Sequence, residues 1–257
     1  MKLLRVVKQR PLLSEITYYA LNIGLAVVLL VLAQTIQSPA MALALVLLSK
    51  WRVFAIRPRH WWNNIQANMV DTVVGLGVVI LMFTPAISFA SQLALAVFYA
   101  IWLVVIKPLH ERWQMTIQAA LATIFGSMAL FSLSYQMPLA LVVFLMWALG
   151  YSVARHFLYS YDEEKMVLLS LVWGIIFAEL GWLAYHWTFS YAPLKSFTAV
   201  RIPQITIILV LVSFLGERVY SSWRKHKKIA MADLIGPAVL TGGLILVILL
   251  FFNSVTI

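Results

Sequence analysis

Three stretches without a single Asp, Glu, Lys or Arg constrain this chain more than any other feature. They run over Ile16–Ser49, Thr72–Ile106 and Trp113–Ala154, lengths of 34, 35 and 42 residues. A helix rises about 1.5 Å per residue and the hydrocarbon core of a bilayer is about 30 Å thick, so one crossing takes about 20 residues. Each run is too long for one crossing and fits two joined by a tight turn. Turn residues stand near the middle of each run: QTIQSP at 34–39, TPAISFASQ at 84–92 and SYQMP at 134–138. Proline ends a helix there, and Ser or Gln tolerates the membrane interface.

Six spans follow, near 16–35, 39–56, 69–88, 89–106, 115–134 and 137–154, and three more apolar segments lie near 166–187, 202–217 and 229–252. The predicted fold is all-α: a polytopic transmembrane helix bundle of about nine spans, one integral membrane domain over 1–257, with residues 1–15 as a cytoplasmic tail. The eighth segment is short enough to predict a slightly tilted or partly unwound helix. In the second, Lys50 and Arg52 fall in the last turns and are expected to snorkel to the interface. Composition agrees, since 63% of residues are hydrophobic and 11% charged, against about a quarter charged in soluble domains. The absence of cysteine excludes disulfides, thiolate metal sites and cysteine nucleophiles.

Short loops rich in Lys and Arg stay cytoplasmic. Nine spans with the N-terminus inside and the C-terminus outside put seventeen of the nineteen Lys and Arg on the cytoplasmic side, leaving Lys195 and Arg201 outside. The first inward hairpin, KWRVFAIRPRHWWNNIQAN at 50–68, would suggest nucleic acid in a soluble protein. Between two spans it reads as an interface segment: Arg57 and Arg59 at the level of lipid phosphates, Trp61 and Trp62 in the aromatic belt, and an amphipathic lead-in to the third span after Pro58. The last inward loop repeats this chemistry with Lys225, Lys227 and Lys228. The expected partner is the bilayer, with anionic lipid at the cytoplasmic face of a cytoplasmic membrane, and no nucleic acid.

Charged residues inside hydrocarbon are expensive and mark pairs or functional sites. Glu179 lies well inside the seventh span, His186 is seven residues further along nearly the same helical face, and Arg201 stands at the mouth of the eighth. These three are a candidate intramembrane polar site, either a proton or cation relay or an ion pair acting as interhelical glue. Asp71 and Asp233 each head a span and each is followed by glycine, as Asp71-Thr-Val-Val-Gly75-Leu-Gly77 and Asp233-Leu-Ile-Gly236-Pro237. With Thr241, Gly242 and Gly243 they form a second candidate site on the cytoplasmic side: close helix approach at the glycines after each aspartate, Gly75, Gly77 and Gly236, and an unwound ninth span where Gly236-Pro237 is followed by Thr241-Gly242-Gly243. The plainer reading is that each aspartate favours a helix N-terminus through the dipole. Met69, Met115, Met166 and Met231 recur at the heads of outward spans and hint at four repeated hairpins.

Nucleophile elbows, zincin pairs and P-loops are all missing, and the five histidines are too dispersed for a zinc site. The acidic run Asp162-Glu163-Glu164 beside Arg155 and His156 could hold a divalent ion, but the plainer reading is a solvated loop. No cofactor or metal is expected. The predicted function is a non-enzymatic transporter or permease for a small or lipidic solute. The alternatives are an embedded scaffold or subunit of a larger membrane assembly with a membrane-protein partner, and an intramembrane enzyme using Asp71 and Asp233.

Overall fold

The computed structural model describes residues 12–55, 57–85, 87–187, 189–191 and 201–251. The expectations for the tail at 1–11, for Lys195 and for the last residues of the second and ninth spans lie outside these. Ten α-helices are described: α1 (Leu12–Thr35), α2 (Ala40–Ser49), α3 (Trp61–Ala67), α4 (Met69–Met82), α5 (Phe89–Ile101), α6 (Arg112–Leu133), α7 (Leu139–Tyr159), α8 (Met166–Tyr185), α9 (Gln204–His226) and α10 (Met231–Phe251). A π-helical turn, Trp102–Ile106, continues α5. One two-residue antiparallel pair, β1 (Ser190–Tyr191) and β2 (Ile202–Pro203), closes the start of α9.

Seven of these helices are long and apolar enough to cross a membrane, and the bent pair α3–α4 makes an eighth if it counts as one span. Polar contacts at the helix ends fix their directions. Tyr18 of α1 donates to the Leu103 carbonyl and Gln34 meets Gln92, so α1 and α5 are antiparallel. Tyr185 of α8 donates to Met137 just before α7, and Gln204 of α9 to Ile248 of α10. Within each of these three pairs the helices are therefore antiparallel; two further apolar helices are short. With ten and fourteen residues, α2 and α4 rise only about 15 and 21 Å. Many exposed side chains along the long helices are large and apolar, mostly Leu, Val, Ile, Phe and Trp, a surface suited to lipid rather than water.

Burial separates inner from outer helices. In their most apolar stretch, 50% of the residues of α6 and of α7 are buried, against 11% for α1 and for α10. Small residues set the inner spacing. A Cβ at Gly77 of α4 would stand 2.7 Å from the Phe125 carbonyl oxygen of α6, and one at Gly75 would meet Tyr99 and Val46. The sequence expectation of close approach at these glycines is met, with α6 on one side and α2 and α5 on the other.

Three expectations fail. The second span does not run to 56: α2 stops at Ser49, the chain turns at Lys50, and the Lys50 side chain points into the bundle instead of snorkelling. The reason is a buried carboxylate waiting inside. The eighth segment is not short, since α9 continues through Glu217 and Arg218 to His226. An amphipathic helix carries charge on one face without ending. The ninth is not unwound: α10 is continuous through Gly236, Pro237, Thr241 and Gly243. Pro237 lies inside the helix and leaves the Asp233 carbonyl, four residues back, without its helical N–H donor.

Candidate functional site

Asp71, the third residue of α4, is the centre of a buried polar cluster. Lys50 from the end of α2 and Lys107 just after the π turn both pair with its Oδ2, the latter at 2.6 Å, and the Trp102 indole donates to Oδ1 at 3.0 Å. The π turn makes this possible. In an α-helix, residues five apart lie about 140° apart around the axis. The i→i+5 bond from Lys107 N to the Trp102 carbonyl, 2.8 Å, widens the turn and brings both side chains towards Asp71. The two lysines differ in surroundings: the Lys50 side chain is 9% exposed and that of Lys107 35%.

Lys107 and Asp71 border a cavity of about 660 Å³ at the same end of the bundle. Asn63, Gln66 and Asn68 from α3 and its junction with α4 line it, as do Trp102, His110, Met115 and Gln118, then Arg155, His156 and Tyr159 from α7. Gln118 braces one side. Its Nε2 donates to the carbonyls of Ile106 and Leu109 at 2.7 and 2.9 Å, so its Oε1 is left as acceptor and takes the His156 Nε2–H at 2.8 Å. Tyr151 braces another: its hydroxyl accepts from Gln66 at 3.0 Å and from Arg155 at 3.3 Å. Among the described residues no carboxylate lies within ion-pair reach of Arg155, and Asp71 is the one acidic residue lining the cavity.

A second cluster ties the loop after α7 to α9. Tyr220 donates to Glu163 at 2.5 Å, and Arg224 stands 3.5 Å from the same oxygen. The Tyr220 hydrogen bond, with help from the Lys165 backbone and the Arg224 charge, holds the Glu163 carboxyl below its ordinary range. Of the acidic run read as solvated, Glu163 is thus tied down while Asp162 and Glu164 are exposed. No group of three or more metal-ligating residues occurs among the described residues.

The other sequence candidates fall elsewhere. Glu179, His186 and Arg201 are not brought together. All three are exposed, Glu179 makes no hydrogen bond or ion pair among the described residues, and His186 caps α8 with its Nδ1 at the Trp182 carbonyl. Seven residues along one helical face separate two side chains by about 10 Å, which is too far for contact. Glu179 instead lines an apolar surface groove with Val143, Ile175, Ala178, Trp182 and Leu183. Asp71 and Asp233 are not paired with each other either: Asp233 takes the Ser222 hydroxyl at 3.2 Å and His226 at 3.1 Å. Gly236 has open space around it, and the Thr241 hydroxyl is buried without a hydrogen-bond partner. Arg57, Arg59, Trp61 and Trp62 are exposed, as are Lys225, Lys227 and Lys228.

Sequence reading found Asp71 but missed Lys50, Trp102, Lys107, Gln118, Arg155 and His156. One signal was present. Gln118 and His156 are polar residues close inside the same end of consecutive spans, where facing polar side chains pair. No family model matches this chain, and neither a curated protein nor a solved structure does.

Proposed function

We propose that this chain is a multi-pass protein of a cytoplasmic membrane that binds and moves a small or lipidic solute, with the basic end of the bundle facing the cytoplasm. The supporting observation is the cavity among α3, α4, α6 and α7, lined by amides, histidines and cations inside an otherwise apolar bundle. Such concave sites with a few convergent polar groups are the usual form of a solute site. Apart from Arg201, the lysines and arginines of the described loops cluster at this end, in keeping with cytoplasmic placement, and exposed Arg57, Arg59, Trp61, Trp62, Lys225, Lys227 and Lys228 suit an anionic lipid surface.

The test is thermal unfolding of the purified chain with panels of anionic, zwitterionic, neutral and cationic solutes, beside Ala67→Trp, which adds bulk at the cavity wall. A ligand at a hundred times its Kd adds about 2.7 kcal/mol of stability. One solute class should stabilise the native chain and not the variant. Equal responses from both, or none from either, contradict the proposal.

A second reading, an embedded subunit of a larger assembly, is favoured by Glu179 alone. A charge at the centre of a span costs about 2.5 to 3.5 kcal/mol, and exposed Glu179 finds no partner within the described residues. A neighbouring helix bearing a donor would relieve that cost. Glu179→Leu should then release a stoichiometric partner that co-purifies in mild detergent; a partner kept by the variant, or no partner at all, contradicts this reading. The reading as an intramembrane enzyme using Asp71 and Asp233 is not carried forward, because the two aspartates have separate partners.

A further inference from the structure

Charge counting in the cavity narrows the solute. Asp71 carries one negative charge and is shared by two lysines. Lys50 is the more deeply buried of the two and does not line the cavity, whereas Lys107 does. Lys50 alone neutralises Asp71, so Lys107 is a surplus cation held at the cavity wall. Arg155 is a second, because its one described hydrogen bond goes to the neutral Tyr151 hydroxyl. Lys107, which shares its carboxylate with Lys50, and Arg155, which has none among the described residues, both line one half-open cavity, where an incoming anion would find uncompensated positive charge.

We propose that Lys107 and Arg155 form a seat for an oxyanion, a phosphate group in particular, with Lys50 as the fixed counterion that frees Lys107 to turn from Asp71 to the ligand. The inference rests on the cavity being a solute site and adds the class of solute. Arginine offers a planar fork that matches phosphate oxygens two at a time, and lysine a point charge beside it. The Asn63 and Gln66 amides supply neutral donors on the α3 side. The phosphate can be free or belong to a lipid headgroup, since both present the same oxygens.

The experiment uses the full chain. In one arm, inorganic phosphate is titrated against the protein in a neutral detergent; in the other, native mass spectra record lipid retained from vesicles of phosphatidic acid in phosphatidylcholine. Lys107→Gln and Arg155→Gln should each weaken the bound species by at least about tenfold. Lys107→Arg and Arg155→Lys should retain it, and Lys165→Gln, at an exposed position outside the cavity lining, should leave it unchanged. Arg155→Gln removes a single described hydrogen bond, so it stays informative if Lys107→Gln fails to fold. Phosphate binding without lipid retention assigns a soluble phosphate, and the converse assigns a headgroup; either supports the seat. Binding that survives loss of both cations overturns it, as does failure of both probes to bind. If a neutral or cationic solute binds instead and Ala67→Trp abolishes that, the oxyanion falls while the solute cavity stands. If no solute of any class responds to Ala67→Trp, both fall.

Discussion

Lys50, one residue past the end of α2, meets Asp71 in the first turn of α4 with both side chains less than one-tenth exposed. Two short helices are thereby pinned end to start, and the carboxylate they share with Lys107 and Trp102 stands at the floor of the cavity. A buried pair of this kind is costly to break from one side, because the survivor keeps its charge without water.

Asp71→Leu alone strands Lys50 and should destabilise the protein by about 3 to 5 kcal/mol. Replacing both partners, as Lys50→Met with Asp71→Leu, should recover most of that loss, since Lys107 is exposed enough to turn away. Thermal unfolding in one detergent compares them. A double variant as unstable as the single one would show that the pair is not the reason for the loss.

Glycine substitutions separate inner from outer helices. Gly77→Ala drives a methyl into the Phe125 carbonyl, and overpacking of a tight contact costs about 1 to 3 kcal/mol. Gly242 has nothing within 4 Å, so Gly242→Ala should gain up to about 1 kcal/mol in helix propensity. Equal effects at the two positions would contradict the packing of α4 against α6.

Orientation is testable because the chain has no cysteine. Single cysteines at Ser38 and Gln136, both exposed at one end, should react with an impermeant thiol reagent added outside intact cells. Cysteines at Asn63, His110 and Glu164, exposed at the other end, should not. The reverse pattern inverts the orientation, and a mixed one breaks the alternation of the segments.

Much of the bundle was legible because lipid imposes a simple rule: long charge-free runs must cross, and turns must interrupt them. Asp71 was legible too, as a carboxylate at the head of a glycine-bearing span. What converges on it was not. Lys50 and Lys107 are 21 and 36 positions away in the chain, and a lysine at the end of an apolar run looks the same whether it reaches out to phosphates or in to a carboxylate. The π turn that aims Trp102 and Lys107 leaves no mark in composition. For Glu179 and His186 the reading weighed the helical face and neglected the rise along the axis between them. Arg155 and His156 were left outside the sixth span because the charge-free run ends at Ala154, whereas α7 continues past both to Tyr159 and carries them to the cavity.

The most direct measurement is the rate at which one cysteine at Asn63, on the cavity wall, reacts with thiol reagents of opposite charge in open membranes. A cavity whose surplus charges are Lys107 and Arg155 draws a sulfonate reagent in and repels a trimethylammonium one. The sulfonate should react several-fold faster, relative to each reagent's rate with a free thiol, and added phosphate or the Lys107→Gln, Arg155→Gln pair should erase the difference. Equal rates in the native background, or a faster cationic reagent, would contradict a cationic solute cavity.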